Sequence, residues 1–448
     1  AEVVCFSFTI WIYFLQIFPQ GLMQKTYPSS STTISSEQSL YRKTVLENGV
    51  RVVTEKIPYV RSASLGLWAD VGSRDEDETT NGISHFVEHM VFKGTKKRTV
   101  RDIAQSLESL GGYLNAFTTK EQTCFYARVL DMHVREAMDV LADLVQNPTF
   151  KKDELEREKL VVIEELKNAE DDPEDIIHDY FEKALFPKHS LGFPIIGTKE
   201  NVERFKREDL FAHVERHYVP SRLVVAAAGN VDHEALVRLV GEYFRDLPNR
   251  SNGVGRRQAP PRLHHNTFSE YPRPINQAHV CLGTVAYSIK HRDRYPLMVM
   301  NALLGEGMSS RLYQNIRERY GFAYSVYSFT NLLSDTGVFG VYIGTDKKNI
   351  ENSIELILKE LERLKTKPVS KAELERTKSQ IKGVMMLGLE NMSGRMMRLG
   401  SSELYFESFT SLDAILKKVD AVTPEAIQLV ANDLFDEERF STVVIRPS

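Results

Sequence analysis

The chain carries one weak pattern twice, and this repeat limits the folds that it can adopt. Residues 151–166 read KKDELEREKLVVIEEL, and residues 370–385, which lie 219 positions later, read SKAELERTKSQIKGVM. Residues 114–130 (LNAFTTKEQTCFYARVL) are echoed by residues 326–343 (VYSFTNLLSDTGVFGVYI). A chain of 448 residues is long enough for two domains with separate cores. The repeat therefore predicts two homologous halves.

The spacing of apolar residues predicts the elements inside each half. Apolar runs at 63–69 and 223–228 predict strands, whereas residues 100–110, 134–145 and 350–364 have the apolar spacing of helices. Strand-rich blocks beside helix-rich blocks are typical of an α+β fold, in which a sheet carries helices against one face. We therefore expect two duplicated α/β-sandwich-like domains of this kind.

Composition shifts predict where the domains end. Residues 248–277 are rich in Pro, Gly, Asn and Arg, which favours a linker between a first domain at 41–247 and a second at 278–448. Residues 1–40 begin with an apolar stretch that is shorter than the ~20 residues of a spanning helix. The stretch also lacks the basic start of a signal peptide. We expect 1–40 to lie outside a folded, cytoplasmic part, with export or an organelle left open.

The composition excludes several classes of protein. A charged fraction of 26% and a hydrophobic fraction of 42% are those of a globular protein. A net charge of −4 argues against a general nucleic-acid-binding protein. Cys5, Cys124 and Cys281 are odd in number and far apart, so they predict neither a disulfide framework nor a thiolate metal site.

The first half contains the string HFVEH at 85–89. In a helix, His85 and His89 share one face, so both imidazoles can reach one metal ion. Zinc accepts neutral imidazole and keeps one position open for water, whose proton Glu88 could take. The order H-x-x-E-H defines the inverzincins. Because chance alone would produce it in roughly 2% of chains of this composition, the motif needs a third ligand.

A helix predicted at 152–167 offers that ligand. Glu158, Val161, Val162 and Glu165 share one of its faces, which therefore interleaves carboxylates with valines on a stripe that faces the core. A buried carboxylate is costly unless it is paired or binds a metal. We favour Glu165 as the zinc ligand and Glu158 as a carboxylate that steadies the site. The alternative is a pair of salt-bridged helix glutamates.

HxxEH followed by an ERExxxxxxE helix resembles the pitrilysin-type zinc metallopeptidases, in particular the branch of the mitochondrial processing peptidase and its bacterial relatives. The likeness covers 41–447. Further similar segments are 46–55 (LENGVRVVTE), 111–126 (GGYLNAFTTKEQTCFY) and 304–328 (LGEGMSSRLYQNIRERYGFAYSVYS). The resemblance implies two halves that face each other across a cavity. It also implies Zn²⁺ as cofactor, with His85, His89 and Glu165 as its ligands and Glu88 as the base.

The second half has diverged at the metal residues. Glu165 corresponds to Val384 and Glu158 to Thr377, and the segment that matches the first motif contains no His. The resemblance implies that Arg317 and Tyr324 reach across the cavity to the substrate and to the oxyanion. A guanidinium and a phenol hydroxyl are hydrogen-bond donors, and such donors can stabilise the negative charge that develops on the oxyanion. Without the resemblance, Arg317 would be assigned to the surface and Tyr324 to the core.

Two further segments could bind the substrate. The resemblance implies that Asn115, Ala116 and Phe117 lie on a strand edge that pairs with an extended peptide. A hairpin corner is the alternative. The acidic run that contains Asp171 and Asp172 follows the Glu165 helix and could select a basic residue, although such runs are usually solvated loops.

The sequence thus predicts a zinc-dependent metalloendopeptidase that cleaves extended peptides or presequence-like segments. The alternative is a non-catalytic assembly subunit, or one subunit of a heterodimeric processing peptidase. We expect a peptide or unfolded protein as substrate, no nucleic acid, and no stable membrane association of the folded part. We also expect a homodimer, with a heterodimer left open.

Overall fold

The structure is a computed structural model that describes residues 40–247, 255–261 and 266–448. The predicted N-terminal segment at 1–40 lies outside these residues except for its last position. None of the helices in the described ranges is both long enough and apolar enough to cross a bilayer.

The described residues form two sheets with helices packed against them. The eleven strands are β1 (Tyr41–Val45), β2 (Arg51–Lys56), β3 (Ser62–Ala69), β4 (Tyr113–Thr118), β5 (Thr123–Leu130), β6 (Leu223–Gly229), β7 (Thr267–Arg273), β8 (Ala278–Ala286), β9 (Ala323–Leu332), β10 (Gly337–Thr345) and β11 (Ser441–Pro447). The fourteen α-helices are α1 (Ile83–Val91), α2 (Val100–Glu108), α3 (Val134–Gln146), α4 (Lys152–Asp171), α5 (Pro173–Leu185), α6 (Lys199–Arg204), α7 (Arg207–His217), α8 (His233–Phe244), α9 (Arg294–Gly305), α10 (Ile350–Thr366), α11 (Lys371–Gly388), α12 (Met392–Phe406), α13 (Leu412–Asp420) and α14 (Pro424–Leu434).

The first sheet has the strand order β1-β2-β6-β3-β5-β4. Its ladders are antiparallel except for the parallel pair β2–β6. Helices α3 and α8 pack against it, and side chains such as Leu65, Phe125 and Leu141 form the first core. Strand β4 is an edge strand, and α1 packs beside it against α4 and α7.

The second sheet has the strand order β7-β11-β8-β10-β9. Helices α9, α10 and α14 pack against it around a core that includes Leu282, Phe339 and Leu361. Strand β7 corrects the predicted linker, because residues within 248–277 pair in parallel with β11 over the full length of β7. Its alternating exposure and its edge position make Pro272 acceptable there. The composition therefore predicted a linker where the structure has an edge strand.

Each half sends one helix across the other half's sheet. On α5 of the first half, Ile177 and Phe181 pack with Cys281 and Tyr342 of the second sheet. In the opposite direction, α12 of the second half packs on β2, β3 and β6, where it covers Trp68. Each sheet thus has the predicted helices on one face and, on the other face, a helix that comes from the other half. Local periodicity could not indicate this exchange, because it depends on contacts between distant segments.

Buried charges join the two halves. The fully buried guanidinium of Arg74 lies 2.6 Å from a carboxylate oxygen of Glu121 and 2.7 Å from one of Asp335 in the second half. Arg256, from the segment between the halves, lies 3.0 Å from Asp75. Arg74 and Arg256 therefore each have a partner of opposite charge, as the cost of their desolvation requires.

Candidate metal site

Helix α1 carries both histidines of the HFVEH string, which confirms that this segment is helical. It begins after Gly82, whose φ of 97° is left-handed. A Cβ on Gly82 would lie 2.8 Å from the Cα of Gly197, so only glycine fits. The rings of His85 and His89 lie on one side of the helix with their centroids 4.6 Å apart.

Helix α4 brings Glu165 to the two rings. The Nε2 atom of His85 lies 3.8 Å from Oε1 of Glu165, and the Nε2 atom of His89 lies 3.5 Å from its Oε2. One ligand atom from each of the three residues falls within a group whose members are all within 4.8 Å of one another. The three predicted ligands therefore converge in space, although they come from two helices.

This donor set fits zinc. Two imidazole nitrogens and one carboxylate are a known zinc ligand set, and bonds of about 2.0–2.2 Å at tetrahedral angles separate ligand atoms by roughly 3.3 Å. The observed 3.5 and 3.8 Å are close to that value. Burial raises the pKa of Glu165, with a further contribution from the charge of Glu158, and burial lowers the pKa of His85 well below its usual value. A neutral His85 is ready to bind a metal, whereas the carboxylates around His89 outweigh its burial and raise its pKa, which shows that they favour a positive charge at this point.

Glu158 orients one of the rings. Its Oε1 lies 3.0 Å from Nδ1 of His89, and its Oε2 lies 2.7 Å from Nζ of Lys93. Burial alone would raise the pKa of Glu158, but the hydrogen bonds from His89 and Lys93 outweigh burial and lower it. An ionised Glu158 accepts from Nδ1 and so leaves Nε2 of His89 directed at Glu165. Lys93 was missed in the sequence because it lies beyond the motif.

Glu88 lies beside the three potential ligands and is held by the neighbouring strand. Its Oε2 accepts a hydrogen bond of 2.6 Å from the hydroxyl of Thr118 at the end of β4. Burial raises the pKa of Glu88 to about 7, despite the opposing effects of Thr118 and His89. This carboxyl group can therefore hold or release a proton near neutral pH, as a general base must.

The α4 face differs in part from the predicted stripe. Val162 is fully buried, but Val161 is 51% exposed, so the expectation that both valines face the core is wrong for Val161. The reason is that this side of α4, which also carries the exposed Leu160 and Glu164, faces solvent. Three other glutamates of the helix form ion pairs with neighbouring basic residues, namely Glu154 with Arg157, Glu156 with Lys159 and Glu164 with Lys167.

Arg317 and Tyr324 lie together in the second half. The guanidinium of Arg317 lies 4.7 Å from the ring centre of Tyr313 and 5.3 Å from that of Tyr324. Tyr324 is 76% exposed at the start of the edge strand β9, so its assignment to the core is wrong. No hydrogen bond or ion pair within the described ranges joins this pair to His85 or Glu165.

The predicted substrate residues lie at an edge and at a helix start. Asn115, Ala116 and Phe117 lie on β4, which pairs with β5 on one side and forms the edge of the sheet on the other. Asp171 ends α4 and is exposed. Asp172 is also exposed and caps α5 by accepting from the backbone of Glu174 at 2.9 Å. Its carboxylate therefore has a structural partner.

The predicted acidic run ends at Asp175, and the sequence reasoning missed a further carboxyl group on α5, that of Asp179. Asp175 and Asp179 are half-buried one turn apart. Burial raises the pKa of Asp179 to about 6, although the positive charge of Lys120 opposes this rise. Burial and the charge of Asp172 together raise the pKa of Asp175. Their spacing along the helix could have identified them, but their burial depends on the packing of α5 against the second sheet.

The described residues of the second half include the matching helix positions but not the potential metal ligands. Among the described residues, the one group of three or more potential metal ligands is that of His85, His89 and Glu165. Val384 takes the place of Glu165 and is exposed, and Thr377 takes the place of Glu158 and is buried. Within the described part of the chain, the potential metal ligands therefore lie in the first half, as the diverged repeat predicts.

Comparison with known proteins identifies the family. Residues 51–199 match the family model described as "Insulinase (Peptidase family M16)", and residues 204–381 match "Peptidase M16 inactive domain". The chain is 40% identical over 409 residues to "Uncharacterized zinc protease YmxG" of Bacillus subtilis, covering 91% of this chain and 99% of that protein. The chain belongs to peptidase family M16. The predicted resemblance is thereby confirmed.

Other M16 relatives agree over the same span. "Uncharacterized zinc protease Rv2782c" of Mycobacterium tuberculosis (strain ATCC 25618 / H37Rv) is 41% identical over 413 residues, covering 91% of this M16 chain and 93% of the relative. The beta subunit of the mitochondrial processing peptidase of Blastocladiella emersonii is 33% identical over 431 residues, covering 94% of this chain and 91% of that protein.

Solved structures share the M16 fold. A protease from Helicobacter pylori superposes with a TM-score of 0.85 at 24% identity, covering 91% of this chain and 99% of that one. A protein from Pseudomonas fluorescens, described as a peptidase M16 inactive domain, gives 0.84 at 20% identity, with 91% and 98% covered. The two matched family regions meet between residues 199 and 204, although β6 and α8, which follow that point, still belong to the first sheet and its core.

Proposed function

We propose that this M16 chain is a zinc-dependent metalloendopeptidase that cleaves extended peptides or presequence-like segments. The observation that carries the proposal is the convergence of His85, His89 and Glu165 with Glu88 beside them. Relatives named zinc proteases support the same class of activity. Their names do not define a substrate, so the substrate class rests on the site residues.

Each residue around the metal has a distinct task. Zinc, when bound, would polarise the scissile carbonyl and acidify the attacking water. Oε1 of Glu88 accepts the proton of that water, while Thr118 holds Oε2, and Glu88 then returns the proton to the leaving amine. Glu158 keeps His89 in the tautomer that presents Nε2 to the metal.

The substrate is proposed to bind as an added strand. The free edge of β4, which carries Asn115, Ala116 and Phe117, ends at Thr118, the residue that holds Glu88. An extended peptide that pairs with this edge would therefore pass close to the base. Arg317 and Tyr324 would stabilise the oxyanion from the second half, as donors to developing negative charge.

A basic residue of the substrate is proposed to bind near α5. Asp171 and Asp172 were the predicted selectors, but Asp172 is engaged as a helix cap. Asp175 and Asp179 are better placed to attract a cation, because they are half-buried and their negative charges are only partly compensated. Opposite charges in a shielded cleft attract more strongly than exposed pairs do.

The alternative function is one subunit of a heterodimeric processing peptidase. The relative from Blastocladiella emersonii is named as the beta subunit of such an enzyme, which favours a partner. The heterodimer is disfavoured because this one chain carries both the potential metal ligands and the pair of Arg317 and Tyr324. A chain with both parts supports a self-sufficient peptidase, which we propose to act as a homodimer. The molar mass of the active species in solution distinguishes the two.

The deciding experiment measures metal and activity together. The purified protein should hold one zinc per chain and cleave unstructured peptides in a chelator-sensitive manner. His85→Ala, His89→Ala and Glu165→Gln should each lose zinc and activity. Glu164→Gln, one residue from Glu165 but exposed and paired with Lys167, should keep both. Full zinc occupancy in Glu165→Gln would contradict the proposed ligand set.

Peptide libraries test the proposed selection of a basic residue. The unaltered protein should prefer a basic residue near the scissile bond, and the preference should weaken with added salt. The double variant Asp175→Asn/Asp179→Asn should reduce the preference, whereas Asp171→Asn at the exposed helix end should leave most of it. An identical cleavage profile in the double variant would remove α5 from the binding site.

A further inference from the structure

The carboxylate of Glu76 lies at the N-terminus of α1 and accepts hydrogen bonds from its first residues. Its Oε2 accepts from the backbone N–H of Gly82 at 2.8 Å and from the side-chain amide of Asn81 at 3.1 Å. Its Oε1 accepts from the backbone N–H of Ser84 at 2.8 Å. Glu76 is only 8% exposed. The three donors and the positive end of the helix offset part of the cost of burying this carboxylate, and burial still raises its pKa to about 7.

Helix α1 has no side chain of its own for this task. The residue at its N-cap position is Gly82, which has no side-chain acceptor. The contact of Gly82 with Gly197 leaves no room for a larger residue. The free N–H groups of the first turn therefore need an acceptor from outside the helix. Glu76, six residues earlier in the chain, provides it.

This cap lies next to the potential metal ligands along the chain. His85 follows Ser84 in the sequence, and His89 lies one turn further along a helix of only nine residues. A metal site tolerates displacements of only about 0.5 Å or 10–20° in its ligands. An anchor at Ser84 therefore constrains both the rotation of the helix and its position along its axis.

We propose that Glu76 is a positioning residue of the metal site. Its carboxylate holds the first turn of α1 so that the Nε2 atoms of His85 and His89 meet Glu165. The inference rests on the proposed zinc-peptidase function and adds a residue outside the HFVEH string and outside α4.

Zinc affinity and stability together test this role. In Glu76→Gln, the side chain keeps its size, but its amide nitrogen must face either Ser84 N–H or the donors of Gly82 and Asn81. The zinc dissociation constant, measured by competition with a chelator, should rise about tenfold, as is usual when support of a metal ligand is lost. The kcat should fall with KM nearly unchanged. The zinc-induced rise in melting temperature should shrink.

A matched control separates positioning from stability. Asp232 caps α8 by accepting from the backbone N–H of Ala235 at 2.8 Å, and α8 carries no metal residue. Asp232→Asn should lower the melting temperature of the metal-free protein without changing the zinc dissociation constant. A purely structural Glu76 would behave in the same way, so an unchanged zinc affinity in Glu76→Gln would overturn the inference.

A second variant covers the case in which Glu76→Gln does not fold. Glu76→Asp keeps the charge and withdraws the carboxylate by one methylene, so it should fold and weaken zinc binding by a smaller factor. A folded Glu76→Asp with the zinc affinity of the unaltered protein would overturn the inference. Unaltered protein that binds no zinc would instead overturn the proposed function, and this inference with it.

Discussion

At the scale of single residues, the site separates metal binding from proton transfer. His85, His89 and Glu165 converge on one point, whereas Glu88 is turned to Thr118 on the adjacent strand. The pKa of Glu88 is raised to about 7 by burial, so its proton affinity suits a base at neutral pH. This separation means that the two functions can be removed independently.

Glu88→Gln should keep zinc and the fold but lose activity. The amide can still accept the hydrogen bond from Thr118, so the local structure should persist, while proton transfer is no longer possible. General-base catalysis is commonly worth ~10²–10⁴ in rate, so kcat should fall by that factor. Metal analysis and peptide hydrolysis measure the two quantities. Near-normal turnover in this variant would exclude Glu88 as the base.

Arg317→Ala and Tyr324→Phe should lower kcat without changing the zinc content. Loss of one donor to an oxyanion typically costs ~10²–10³ in kcat. Arg319 is the matched control, because it is close in sequence but its guanidinium lies over the ring of a different residue, Tyr320. Arg319→Ala should behave like the unaltered protein. A decrease below about threefold in both test variants would contradict their assignment.

At the scale of elements, α5 combines two roles. Its apolar side chains, such as Phe181, cover the second sheet, while Asp175 and Asp179 carry carboxyl groups with raised pKa values. The helix starts directly after helix α4, because Asp172 is both the C-cap residue of α4 and the N-cap residue of α5. The same helix thus joins the halves and adds negative charge close in sequence to Glu165.

Asp179→Asn should stabilise the protein at neutral pH. Burial raises the pKa of Asp179 to about 6, against about 4 in an unfolded chain, so the folded state binds the proton more tightly. Stability therefore falls as the pH rises from about 4 to 6, and the penalty persists above that window. Melting temperatures should favour the variant at pH 7.5 and converge near pH 4. A variant that is less stable at pH 7.5 would show that Lys120 fully compensates the charge.

At the scale of the whole molecule, the two halves depend on each other. Helix α12 covers Trp68 of the first sheet, and α5 covers Tyr342 of the second. Arg74 additionally pairs with Asp335 across the junction. Separation of the halves would expose these apolar faces, at a cost of about 1.5–3 kcal/mol for each large side chain.

Separate halves should therefore fold only in each other's presence. Residues 40–247 and 255–448, each expressed alone, should be poorly folded by circular dichroism. Expressed together, they should co-purify in equal amounts and bind zinc. Phe181→Asp in the first fragment should prevent the association. A first fragment that folds and binds zinc alone would contradict this mutual dependence.

Much of the site follows from the sequence because its information is local. Two histidines four residues apart, and the carboxylates of α4 at helical spacing, depend only on the period of 3.6 residues. The loss of these donors from the second copy of the repeat also identified the half that holds the metal residues. Edge strand β7 was mistaken for linker, because pairing with β11 depends on residues far away in the chain.

The tertiary structure alone decided how these local elements meet. The sequence contains the His pair and Glu165, but the packing of α1 on α4 brings them within 4.8 Å of one another. The support from Glu76, Thr118 and Lys93 also comes from outside the motifs. The physical reason is that periodicity determines which side of a helix a residue occupies, whereas long-range packing determines what that side contacts.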